Sequence, residues 1–135
     1  MSWRESLIRI SSYEVETLQK RLAEVVDRRT HAELRLAMLE AQAQAEMDHA
    51  RRNGDAAMRL NAYMMGVRER RAHFAEEIAQ IGHEEAGARD ALAEAFEAMK
   101  KYEQVAEMAR VAEAREAGRR ETAELDELGL RARAG

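Results

Sequence analysis

The side chains best suited to bind a metal or move a proton near neutral pH are the four histidines, His31, His49, His73 and His83. They are scattered, and no two stand four apart on one helix face, as a helical zinc site requires. They read as solvated or seam-edge residues. The carboxylate pairs Glu76-Glu77 and Glu84-Glu85 have the residue type of general acid–base catalysis. In a chain that is 36% charged they read as solvated helix faces. No glycine-rich loop or P-loop is present to cradle a phosphate. There is no cysteine, which excludes disulfides and thiolate metal sites. The clusters Arg51-Arg52, Arg68-Glu69-Arg70-Arg71 and Arg119-Arg120 have the charge to meet phosphate, but acids flank the last two. With 22 basic against 26 acidic residues, the one-sided basic face of a nucleic-acid binder is missing. The residues therefore predict no catalytic group, no metal and no cofactor, and an enzyme is the least expected class.

What the sequence does organise is a seam. Val15, Leu18, Leu22, Val25, Ala32, Leu36 and Leu39 are spaced alternately three and four apart. That is the stripe of a coiled coil, narrower than the stripe of a globular helix. Arg29 stands where an apolar residue is due, and the frame extends back to Ile8. Later in the chain Val67, Phe74, Ile78, Ile81, Ala88, Leu92, Ala95, Met99 and Ala106 keep the same rule, with Arg71 and Tyr102 in step. Here Glu85 is the charged interruption. Between the stripes lies Asn53-Gly54-Asp55, whose Asn and Gly tolerate positive φ and whose Asp can cap the next helix. The 135 residues contain no proline, and only six are aromatic. Such a chain suits long Ala/Glu/Leu/Arg helices and lacks the large side chains of a thick layered core.

Folding the chain back at the turn so that Arg29 faces Glu85 fixes an index sum of 114 for opposing residues. Leu36 then opposes Ile78, Leu22 opposes Leu92, Val15 opposes Met99 and Ile8 opposes Ala106. In the alternate layers Leu39 meets Phe74, Ala32 meets Ile81, Val25 meets Ala88, Leu18 meets Ala95 and Ser11 meets Tyr102. Small faces large in most of these, as close packing requires. This predicts an all-α fold: two long helices in an antiparallel coiled-coil hairpin with a longer C-terminal arm. The single domain divides into a first helix over about 7–52, a turn over 53–57, a second helix over 58–128 and a frayed tail, 129–135. The register puts the apex at about residue 57. Ser2 or Ser6 starts the first helix. Gly66, Gly82, Gly87 and Gly118 are soft spots in the second, each costing roughly 1 kcal/mol relative to Ala. The first arm, about 68 Å of helix, ends opposite Ala106. Beyond it the second arm keeps Met108, Val111, Leu125, Leu128 and Leu130 without an intrachain partner. A lone helix is marginal in water, so this overhang predicts a partner. Met58, Met64 and Met65 cap the hairpin tip or meet a partner there.

Several runs resemble a known family. Ser6-Leu7-Ile8-Arg9-Ile10, Glu14-Val15-Glu16 and Leu18-Gln19-Lys20-Arg21-Leu22 resemble the opening of the FliJ proteins of flagellar type III export. Lys100-Lys101-Tyr102-Glu103, Arg119-Arg120-Glu121 and Asp126-Glu127 before a basic tail resemble the family's closing helix. The resemblance implies a stalk of a hexameric export ATPase, whose joined termini enter the ring and stimulate it. It also implies links to the membrane export gate and to export chaperones. Partner contacts would come from Leu39, Gln42, Glu46, Tyr63 and Val67 on the hairpin, and from Met108, Val111, Arg119, Arg120, Asp126 and Glu127 on the overhang. Gln42 and Glu46 stand where some relatives have aromatic residues. Arg29 and Glu85 are a register pair.

No apolar run approaches the ~20 residues of a membrane span, and the N-terminus is too short and charged for a signal peptide. The expected location is the bacterial cytoplasm, peripheral at the inner membrane, and the expected free state is a monomer. The stalk of a virulence-type secretion system and an unrelated structural coiled-coil adaptor remain open.

Overall fold

The computed structural model describes residues 2–134. Two helices, α1 (Trp3–Arg52) and α2 (Gly54–Ala134), hold all of residues 3–134 except Asn53, and there is no strand among the described residues. α1 starts at Trp3 rather than near residue 7 because Ser2 caps it. The Ser2 hydroxyl accepts the Glu5 amide at 3.3 Å, and the Ser2 carbonyl accepts the Ser6 amide at 3.1 Å. Glu5 in the first turn and His49, Arg51 and Arg52 in the last complement the helix dipole.

The turn is tighter than the expected 53–57. Asn53, not Asp55, is the cap of α2: its Oδ1 accepts the Asp55 amide at 3.0 Å and the Ala56 amide at 3.4 Å. No described residue has positive φ, so the chain reverses without a left-handed residue. Asp55 instead sits in the first turn of α2, where its charge faces the helix N-terminus. At the other end α2 runs on through Ala134, past the expected helix end at residue 128, and Gly135 lies outside the described residues.

Contacts divide the chain into two compact units, residues 16–93 and residues 2–15 with 94–134. In the first, the two helices pack antiparallel across the turn. One core cluster joins Val25, Ala32 and Ile81, with Ile78 against it. A second joins Leu39, Ala43 and Val67, flanked by Leu36, Tyr63, Met64 and Phe74. Val25 and Val67 are wholly buried. Removing such side chains from water is worth roughly 1.5–3 kcal/mol each. Arg29 Nη1 donates to Glu85 Oε2 at 2.7 Å, as the register requires. Beside it Arg28 meets Glu84 at 2.6 Å, Arg35 meets Glu77 at 2.8 Å, and Arg71 clamps Glu40 with two donors. Toward the turn, Ala43 shares a cluster with Val67, which falls short of the index sum set by Arg29 and Glu85. Small departures from an ideal repeat accumulate along the pair, and the apex arrives at Asn53 rather than about residue 57.

In the second unit Ser11 and Val15 are buried on α1, and Ala95, Met99, Ala106, Ala109 and Val111 are half-buried on α2. The Ser11 hydroxyl donates to the Ile8 carbonyl at 2.9 Å, which satisfies a polar group inside the seam. Arg4 Nη2 reaches Glu113 Oε1 at 2.6 Å. The intrachain partner therefore extends to Glu113, beyond the expected limit at Ala106. The long Arg4 side chain and the added turn of helix from Trp3 account for the difference. From Ala112 to Ala134 every residue is exposed.

Candidate functional site

The exposed end of α2 holds most of the C-terminal residues singled out from the sequence. Met108 is 71% exposed, and Leu125, Leu128 and Leu130 are 69%, 59% and 66% exposed. Val111 is half-buried, on the boundary of the paired region. Arg119, Arg120, Asp126 and Glu127 are all exposed. Arg119 and Arg120 both approach Glu116, at 3.9 and 3.5 Å, and Glu127 holds Arg131 at 3.0 Å. Next to Met108, Arg110 hydrogen-bonds Glu107 and holds its carboxyl below the usual carboxylate range, while its own pKa is raised by the same bond. Such exposed pairs along one helix are screened by solvent and add little to stability. They leave both charge signs and three leucines available to a second surface.

The residues expected to bind near the turn are divided by the structure. Gln42 and Glu46 are exposed. Tyr63 is half-buried; it packs on the core and, with Glu46, lines a cleft of about 340 Å³ beside the turn. His49, Ala56, Arg59 and Leu60 complete that cleft. Leu39 and Val67 belong elsewhere. They are 4% and 0% exposed and form one core cluster, so the partner contacts expected of them are corrected. Their own seam spacing carries the reason: a residue at a seam position is consumed by the partner helix. Met58 and Met65 at the tip are 85% and 58% exposed, whereas Met64 packs on the core.

Among the described residues no group of three His, Cys, Asp or Glu side chains is placed to hold a metal ion. No helix of the described chain is long and apolar enough to cross a membrane. Sequence reasoning missed Leu34 and Met38, each 56% exposed on the outer face of α1. Their spacing of four, off the seam, was the available signal. It also missed Arg4, whose tie to Glu113 sets where the free part of α2 begins.

A family model described as Flagellar FliJ protein matches residues 5–134. The chain belongs to the FliJ family. Two proteins called Flagellar FliJ protein, from two strains of Caulobacter vibrioides, are each 50% identical to it over 129 residues. The match covers 96% of this chain and 93% of each relative. No solved structure matches. In this FliJ-family chain the matched span takes in the exposed end of α2, so that segment is part of the length the family shares and not an appendage to it.

Proposed function

We propose that this chain is a non-enzymatic stalk that inserts the exposed end of α2 into the hexameric export ATPase and stimulates it. Family membership makes the chain a component of the flagellar export apparatus, which leaves the virulence-type stalk and the unrelated adaptor without support. One observation carries the finer reading: 23 consecutive helical residues, 112–134, are exposed on every side, three leucines among them. A lone helix that presents apolar residues to water gains from a surface that surrounds it. A ring lumen does so, and Arg119, Arg120, Asp126 and Glu127 would meet charges on it. Nearer the turn, Gln42, Glu46 and Tyr63 beside the cleft are the contacts for the membrane export gate, and export chaperones are further partners of the hairpin. The chain would then work at the cytoplasmic face of the inner membrane.

The direct test is ATP hydrolysis by the purified export ATPase with added chain. Leu125→Lys with Leu128→Lys should lower stimulation severalfold and leave the thermal midpoint unchanged, because both side chains are exposed. Undiminished stimulation by that variant would remove the tail from the mechanism.

A further inference from the structure

The outer face of α1 carries a stripe that the seam does not use. Leu34, Met38, Ala41 and Ala45 follow at intervals of four, three and four, and all are exposed. Continuing the same alternation in both directions gives His31 and Asp27 on one side, Asp48 and Arg52 on the other. These positions lie about half a turn away from the seam, so they face away from α2. The whole stripe belongs to the unit formed by residues 16–93.

We propose that this stripe pairs with the same stripe of a second copy of the chain, antiparallel, about a two-fold axis between Leu39 and Glu40. The stripe is complementary to its own reversal. Around that axis Met38 faces Ala41 of the other copy and Leu34 faces Ala45, a large side chain against a small one in each layer. Outside the apolar layers His31 faces Asp48 and Asp27 faces Arg52, so each charged layer sets a carboxylate against a donor. The symmetry makes every such layer twice, as an isologous interface must. A parallel pairing would instead set Asp27 on Asp27, Asp48 on Asp48 and Arg52 on Arg52, which disfavours it.

The surroundings of the stripe fit the same arrangement. Beside the antiparallel pair, Ala37 meets Gln44, Thr30 meets Arg51 and Arg35 meets Gln42. Arg28 comes opposite His49. Arg28 and Arg35 are already neutralised by Glu84 and Glu77 of their own copy. No flank sets acid against acid. The charged members are only lightly engaged within the chain: Asp27 lies 3.6 Å from His31, and Asp48 lies 3.7 Å from Arg51 and 3.2 Å from Gln44. Four apolar positions per copy make a small contact, so the free chain is a monomer only when dilute. The pairing uses none of the residues assigned to the ATPase contact, so it stands or falls independently of that reading.

Sedimentation of the full chain over a dilution series tests this. The unaltered chain should pass from monomer to dimer as concentration rises. Met38→Glu should abolish the dimer without loss of helicity, since Met38 is 56% exposed. Asp27→Arg alone, or Arg52→Asp alone, should weaken it by about tenfold. The two together restore the opposite charges across the axis and should return the dimer close to its original strength. A chain that stays monomeric throughout overturns the proposal. So does a dimer indifferent to Met38→Glu, or a double variant as weak as the singles. Loss of the dimer with Leu128→Lys instead would assign self-association to the end of α2 and overturn it equally.

Discussion

Arg29 and Glu85 interrupt the seam of each helix at the same layer. Their side chains are 34% and 12% exposed, so the carboxylate is the more deeply buried partner. One hydrogen bond of 2.7 Å joins them. Arg29 Nε and Glu85 Oε1 have no hydrogen bond and make only looser ion-pair contacts, at 3.7 Å to Glu33 and 3.8 Å to Arg89. A layer of this kind fixes register and contributes little net stability. A double-mutant cycle with Arg29→Ala and Glu85→Ala should return a coupling of roughly 0.5–3 kcal/mol in urea unfolding. Replacing both by Leu should leave the hairpin as stable as before or more so, while replacing Arg29 alone should destabilise it, because Glu85 is then left without its partner. Additive single mutants would show that the two do not act on one another. Asn53 is the other residue on which local structure turns. Asn53→Ala removes the acceptor for two amides of α2 and should cost about 1 kcal/mol.

At the scale of the helices, stability comes from a single seam and from the ion pairs beside it. Ile81 is 4% exposed between Val25 and Ala32, so Ile81→Ala should destabilise by about 2–4 kcal/mol. Gln42→Ala on the outer face should change stability by less than about 0.5 kcal/mol. Equal melting of the two variants would mean that the wrong face has been called the core. The ion pairs add a pH dependence. Arg71 hydrogen-bonds Glu40 and Arg28 hydrogen-bonds Glu84, and each carboxyl is held below its ordinary value of 4.5. A depressed carboxyl in the folded chain means that the unfolded chain binds more protons as pH falls through this range. Their stabilisation is therefore complete above the ordinary value and is lost as pH drops below it. The thermal midpoint should fall between about pH 5 and about pH 3, and less so when Glu40→Gln and Glu84→Gln are combined. Added salt should shrink the difference, since both pairs are exposed.

Much of this element scale was legible in the residues. A lone Arg and a lone Glu in two apolar stripes are conspicuous, and matching them gives the register seen at Arg29 and Glu85. Ala43 and Ala50, which carry the seam on toward the turn, were not legible as core, because alanine is spread over every face of this chain and marks none. Arg4 was hidden for another reason: its contact with Glu113 is made by a long side chain near a helix start, where no periodicity has yet been established. The proposed binding residues were least legible. Leu39 and Val67 carry the spacing of the seam and are consumed by it, whereas exposed residues such as Gln42 and Glu46 leave no periodic mark that a sequence could show.

For the whole molecule, the inequality of the two helices, 50 and 81 residues, is what calls for a partner. The intrachain contacts reach Glu113, and the helix runs on to Ala134. A chain shortened by residues 114–135 keeps both core clusters and the Arg4–Glu113 pair, so it should melt close to the full chain and lose helicity only in proportion to its length. It should no longer stimulate the export ATPase. Because the removed segment alternates Arg and Glu, stimulation by the full chain should also weaken as salt rises. The decisive measurement is ATP hydrolysis by the purified export ATPase with the full chain and with the shortened chain, at two salt concentrations. Stimulation by the full chain alone, reduced at the higher salt, is the result expected of a stalk. Equal stimulation by the shortened chain would contradict it.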